Sequence, residues 1–318
     1  MPEASRSSPA PRVFVTGLAG FTGRYLGQRL VEAGFALCRS QSGDEQLYNL
    51  TDRDSLDRLL QIERPDYVVH LAGISFVPHA DPTELYRVNT VGSLSLLEAL
   101  VHSRLKLRKV ILASSANVYG NCVDDPITED STLAPINHYG CSKCSMEHMA
   151  RGFFDRLPIV IVRPFNYTGV GQPGDFLIPK LVRHFASRAA HVELGNINVI
   201  RDFSDVRMAA DAYCRLLASP ISGDVLNMCS GVGYSMKWVL HQLTFLSGHT
   251  LEVRTNRDLI RSNELSRLVG SANRLIETIG PLRFTNFEAT LKWMLSAYAD
   301  GKSDASVSAL EPLPGSPS

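Results

Sequence analysis

The chain has 318 residues, 44% of them hydrophobic, and its 32 basic residues are balanced by 32 acidic ones. That length can bury a full core in one large domain or two joined ones, and the charge balance leaves no net field to gather nucleic acid or an anionic membrane. No stretch approaches the roughly 20 apolar residues that span a bilayer, and residues 1–12 lack the apolar segment of a secretory signal, so a cytoplasmic protein is expected.

Arg12 to Thr16 is a β-branched and aromatic run that meets glycines, and Arg24 to Ala33 has the spacing of an amphipathic helix ending at Gly34. Apolar runs at Phe35–Cys38, Tyr67–Leu71, Val110–Ala113 and Ile159–Val162 alternate with helical patterns at Val88–Leu105 and Tyr139–Phe154. Strands alternating with helices predict an α/β fold, a doubly wound parallel sheet of Rossmann type covered on both faces. After Arg163-Pro164 the texture changes to Gly/Pro-punctuated chain and then to short mixed elements, which predicts a smaller, interleaved α/β substrate domain. The expected division is 12–165 plus about 199–232 for the first domain and 166–198 plus about 233–300 for the second, with flexible tails at 1–11 and 301–318. There is no internal repeat. Six cysteines scattered along the chain are too few for a disulfide scaffold. Cys141 and Cys144 form a C-x-x-C without a second pair or a histidine at ligand spacing, so they are read as helix-interface cysteines and no metal is expected.

The first strand-to-helix turn carries Gly17, Gly20 and Gly23, with Phe21 and Thr22 between the last two. Gly17 permits a tight turn, Gly20 lets backbone approach a pyrophosphate, and Gly23 lets the helix pack on the strand. An acid that would bind an adenosine ribose is missing after the second strand, where Cys38-Arg39-Ser40 stands instead. A guanidinium and a hydroxyl suit a 2′-phosphate, so NADPH is favoured, with NAD as the other candidate.

Tyr139 and Lys143 are four residues apart on a predicted helix and share a face, with Ser115 upstream. Bringing a phenol from about 10 to neutral pH takes roughly 4 kcal/mol, which one ammonium about 4 Å away supplies at an effective dielectric near 20. Ser115 would hold a substrate oxygen for proton exchange with Tyr139 while Lys143 tunes the phenol. The order of glycine loop, hydroxyl, tyrosine and lysine points to redox chemistry on a carbonyl or alcohol.

From about Arg12 to Trp293 these residues resemble the extended short-chain dehydrogenase/reductase superfamily acting on nucleotide sugars. The likeness is carried in order by Thr16 to Gly23, His70 to Gly73, Asn89, Ser114 to Gly120, Tyr139 to Lys143, Arg163 to Asn166 and Arg201 to Val206. It implies a small C-terminal sugar-nucleotide domain and a homodimer through a four-helix bundle. Dehydratases of the superfamily carry an acid two positions after the catalytic Ser/Thr, and Ala116 and Asn117 provide none. Relatives that also epimerise at C3 or C5 carry a cysteine where Asn117 stands. The resemblance therefore implies NADPH-dependent reduction of the C4 ketone of a GDP-4-keto-6-deoxyhexose, of the GDP-D-rhamnose type, for surface polysaccharide synthesis. It implies cofactor contacts at Asn49, Leu50, Leu71, Ala72, Gly73 and Asn89, and substrate contacts at Ser75, Phe76, Val77, Ser115, Asn117, Asn166, Arg201, Arg261 and Glu264. Met208 and Pro281 depart from the usual acid and tryptophan of the superfamily, and His79 and His138 are assigned no catalytic role. An NAD-dependent nucleotide-sugar 4-epimerase and a noncatalytic NADP-binding regulator are the alternative readings.

Overall fold

A computed structural model of the chain describes residues 9–38, 48–75, 81–260, 265–283 and 285–301. Arg39, Phe76, Val77, His79, Arg261 and Glu264 lie outside the described residues, as do 1–8 and 302–318 of the expected tails. Strand β1 (Arg12–Thr16) leads through the glycine loop into α1 (Phe21–Glu32) and on to β2 (Ala36–Leu37). Gly34 ends that helix with φ +84°, a left-handed conformation that suits glycine. Helix α2 (Arg53–Glu63) is capped by Asp52, which accepts from the Ser55 N–H, and β3 (Tyr67–His70) follows.

The next helix begins earlier than its periodicity predicts. Asp81 caps it and Pro82 occupies its first turn, so α3 (Pro82–Tyr86) runs through a π-helical turn (Arg87–Gly92) into α4 (Ser93–Ser103). Then come β4 (Lys109–Ala113), a 3-10 turn (Ala116–Tyr119), α5 (His138–Arg151) and β5 (Ile159–Pro164). The second half contains β6 (Asn166–Thr168), α6 (Leu177–Ala186), β7 (His191–Leu194), β8 (Ile200–Asp205), α7 (Val206–Ala218) and β9 (Asp224–Met228). It ends with β10 (Gly233–Ser235), α8 (Met236–Ser247), β11 (Glu252–Thr255), β12 (Arg267–Leu268), α9 (Asn273–Ile279) and α10 (Phe287–Ala299).

Six strands in the order β2-β1-β3-β4-β5-β9, all parallel, form the main sheet. Alternation along each strand splits the core in two. Val13, Val15, Val69, Ile111, Val160 and Val162 face α1 and α7, while Phe14, Val68, Val110, Leu112, Ile159 and Ile161 face α2, α4 and α5. Burial of such a side chain stabilises the fold by roughly 1.5–3 kcal/mol. Of the stretch 199–232 expected to belong with this sheet, α7 packs on it and β9 joins it. Strand β8 instead pairs with β6, β10 and β12 in a second sheet. Helices α6, α8 and α10 enclose a third core with Phe203 and Phe287, whose rings stack at 5.0 Å. Among the described residues, no helix is long and apolar enough to cross a membrane.

The strand order reverses at β1, whose neighbours are β2 and β3. In a parallel sheet that reversal opens a crevice beyond the carboxyl ends of the strands. Thr16 and His70 are paired at that edge.

Candidate active site

Backbone sterics shape the floor of the crevice. Gly17 has φ +76°, and a Cβ there would stand 2.9 Å from the Ala72 nitrogen; a Cβ on Gly23 would stand 2.1 Å from the Gly17 carbonyl oxygen. The loop and helix therefore approach each other and β3 only as glycines. Helix α1 has no side-chain cap and no acid in its first turn, which leaves its positive end open toward the crevice. These features fit a dinucleotide pyrophosphate, and Gly17, Gly20, Phe21, Thr22, Gly23, Leu71, Ala72 and Gly73 line the crevice.

A buried relay fixes this edge. Ser93 Oγ donates to the Asn89 carbonyl at 2.7 Å, so it accepts from His70 Nε2 at 2.9 Å. His70 Nδ1 then accepts from Thr16 Oγ1 at 2.7 Å, and Thr16 Oγ1 accepts from the Ala72 N–H at 3.1 Å. Burial, and secondly the Lys143 charge, push His70 down to about 3, which keeps it neutral.

Asn89 sits in the π-helical turn and is 1% exposed. Its Oδ1 accepts from the Ile74 N–H, and its amide donates to the Ile74 carbonyl and to Ser142 Oγ at 3.1 Å each. With the amide so engaged, Asn89 clamps the end of β3 to α5 and does not line the crevice. Asn49 and Leu50 do not line it either. Asn49 Oδ1 accepts from the Thr51 N–H and hydroxyl, and Leu50 is buried in the core.

The catalytic candidates come from two elements. Ser115 caps the 3-10 turn, and its hydroxyl accepts from the Asn117 backbone N–H and side-chain amide at 3.2 Å each. Asn137 caps α5 by accepting from the Gly140 N–H at 2.8 Å. A Cβ on Gly140 would stand 2.6 Å from the Asn117 carbonyl, so glycine lets the helix start lie against the Ser115 turn. Tyr139 is 7% exposed; burial pushes its phenol up to about 12, with the Ser115 hydroxyl pulling it down. Lys143 is pushed down to about 8 by burial, with Glu147 opposing, and its ammonium donates to the Ala113 carbonyl at 2.8 Å beside Gly73. Lys143 does not line the crevice, and the expectation that its charge makes Tyr139 acidic is not met among the protein's own groups. Burial is the largest cause of the Tyr139 shift, and the Lys143 charge is not among its causes.

From the glycine loop the crevice continues past Ser75, Ser115, Asn117 and Tyr139 to Asn166 and Arg201, in a cleft of about 790 Å3. The Asn166 amide donates to the Asp202 carbonyl, and the Arg201 guanidinium donates to the Ile200 and Leu265 carbonyls. A planar fork of donors held this way suits a diphosphate. Beyond it lie Phe176, Lys180, Glu193 and Leu259, which motif reading did not assign. Tyr167 was missed as well. Its hydroxyl bonds Thr22 Oγ1 at 2.8 Å, and its ring stacks on Phe21 at 6.3 Å, so the start of α1 and β6 are joined.

A doubly wound sheet with a glycine cradle at its reversal point, and Ser115 and Tyr139 on one wall, defines a Rossmann-fold enzyme of the short-chain dehydrogenase/reductase class. Residues 13–229 match the NAD dependent epimerase/dehydratase family, and the chain belongs to that family. It is 34% identical over 284 residues to a GDP-6-deoxy-D-talose 4-dehydrogenase of Aggregatibacter actinomycetemcomitans, covering 89% of this chain and 96% of that one. It is 35% identical over 298 residues to a GDP-6-deoxy-D-mannose reductase of Pseudomonas aeruginosa, covering 90% and 96%. A solved structure of RMD from Pseudomonas aeruginosa complexed with NADPH superimposes with a TM-score of 0.83 at 33% identity, covering 92% of this chain and all of that one.

Proposed function

We propose that the protein is an NADPH-linked 4-ketoreductase acting on a GDP-4-keto-6-deoxyhexose, of the kind that forms GDP-D-rhamnose. One observation carries the reading. Ser115 and Tyr139 line the cleft that joins the glycine cradle to Asn166 and Arg201, and the adjacent Ala116 and Asn117 offer no acid for dehydration. Both relatives are named for oxidising or reducing a GDP-linked 6-deoxyhexose, which supports this substrate class.

When bound, the dinucleotide supplies the hydride; the chain's own groups orient the ketone and handle the proton. Ser115 Oγ donates to the C4 oxygen and holds it beside Tyr139. The phenol is protonated at neutral pH because burial raises it to about 12, which is the form needed to hand a proton to a developing alkoxide. The reverse oxidation needs the phenolate and is expected to be favoured at higher pH. With one of its three donors on Ala113, Lys143 has two left for the cofactor side beside Gly73. The reading also includes a homodimer through the 82–103 helix and α5; Val91, 48% exposed in the π-helical turn, supports an apolar contact there.

The test is purified protein with GDP-4-keto-6-deoxymannose and NADPH, read as loss of reduced-cofactor absorbance. Turnover is expected, and absence of turnover with every 4-keto nucleotide sugar overturns the proposal. Tightly held NAD and conversion of a sugar nucleotide without added cofactor identify a 4-epimerase instead. NMR of the product made with stereospecifically deuterated NADPH assigns the face of C4 that is reduced.

A further inference from the structure

Tyr139, Lys143 and Glu147 occupy positions i, i+4 and i+8 of α5, so all three lie along one face. Glu147 is 0% exposed and its ion-pair partner Arg163, near the end of β5, is 1% exposed. Burying two charges is costly unless their hydrogen-bonding capacity is used, and here it is. Glu147 Oε1 accepts from Ser114 Oγ at 2.5 Å and from Arg163 Nε at 2.9 Å, and Oε2 accepts from Arg163 Nη2 at 2.6 Å. Arg163 Nη1 donates to the Tyr119 hydroxyl and the Glu129 carbonyl, and Tyr119 donates to Asn227 Oδ1 on β9.

This network reaches the active site through Ser114. Ser114 lies between Ala113, whose carbonyl takes the Lys143 ammonium at 2.8 Å, and Ser115. Helix α5 thus grips the end of β4 twice, through Lys143 and, one helical turn later, through Glu147. An apolar replacement of a buried pair often folds as well or better, so stability alone does not account for the pair. We propose that Glu147, oriented by Arg163, is a positioning residue that keeps Lys143 charged in its buried site and in register with Ser115. The proposal rests on the ketoreductase reading of Tyr139 and Lys143.

The groups around Lys143 leave Glu147 as the source of negative charge among the described residues. His70 on β3 is neutral, and Tyr139 and Cys144 on the same helix are raised by burial. Arg163 is paired with Glu147 and donates to the Tyr119 hydroxyl. From the helix packed against α5, Tyr86 bonds His138, and Glu84 pairs with Arg87 at the surface. The titratable groups of α4, Glu98 and His102, face α2 through Arg53 and Asp57.

The test is Glu147→Gln, with Lys143 titrated by NMR of 13Cε-lysine-labelled protein and assigned through Lys143→Arg. Removing the carboxylate is expected to lower the Lys143 titration by at least about 1 unit and to move the alkaline limb of the kcat profile by the same amount. Ser114→Ala removes only the tether. It is expected to reduce kcat without moving either titration, the pattern Glu147→Gln would also show if Glu147 were merely structural. A folded Glu147→Gln whose Lys143 titrates as in the parent overturns the proposal. If that variant does not fold, Glu147→Gln with Arg163→Gln is compared with Arg163→Gln alone, and equal Lys143 titrations in the two overturn the proposal as well. The NMR readout needs no turnover, so a failed ketoreductase reading and a failed role for Glu147 give different results.

Discussion

Tyr139 shows how one residue carries two opposing effects. Its burial raises the phenol, the Ser115 hydroxyl lowers it, and the raised value wins at about 12. For a proton donor in the reductive direction that is an advantage, since the phenol never loses its proton near neutrality. Tyr139→Phe keeps the ring and removes the proton, so kcat is expected to fall by about 10²–10⁴-fold while NADPH still quenches protein fluorescence with similar affinity. A variant that retains half the parental kcat would remove Tyr139 from the proton step.

At the scale of elements, the site depends on how closely α5 and the Ser115 turn approach. Gly140 sets that distance, because any Cβ would overlap the Asn117 carbonyl. Gly140→Ala is expected to destabilise the fold by about 1–3 kcal/mol and to lower kcat more than it raises KM, measured by denaturant unfolding and steady-state kinetics. Helix α1 makes the complementary contact on the other side of the cleft. Besides the Thr22–Tyr167 bond, the Tyr25 hydroxyl donates to the Val170 carbonyl and Arg24 donates to the Gly171 carbonyl. Helix α1 is thereby bonded to the segment between β6 and α6. Replacing Tyr167 by Phe removes the Thr22 bond alone, and a weaker affinity for NADPH by isothermal titration is the expected result.

Over the whole molecule, the neutral His70 couples folding to acid. Its native value of about 3 lies below the ordinary 6.5, so between these values the unfolded chain binds a proton that the folded protein does not. Stability is therefore lost as pH falls from about 6.5, at about 1.4 kcal/mol per pH unit for this one group. Unfolding in urea at several pH values should show that slope, and His70→Gln should flatten it; an unchanged slope would place the acid sensitivity elsewhere. The two lobes are further tied by Asp205, which bonds Arg207 and Thr290, and by Arg207 lying 3.9 Å above the Trp293 ring.

Much of this was readable in the linear order of residues. Gly17 to Gly23 dictate a strand-to-helix turn because only glycine fits the backbone approach, and the spacing of Tyr139 and Lys143 places them on one helix face whatever surrounds them. Continuous apolar runs alternating with helical patterns likewise specify a parallel sheet covered on both sides. Burial and partners across the sheet could not be read that way. Lys143 meets a carbonyl from β4, Glu147 finds Arg163 on β5, and Asn89 spends its amide on Ile74 and Ser142. Asn49 and Leu50 are expected at the cofactor, yet one closes its own turn and the other fills the core. Local backbone geometry is encoded by neighbours a few residues apart. A pKa or a buried ion pair depends on desolvation and on groups that only folding brings together, and those the tertiary structure alone decided.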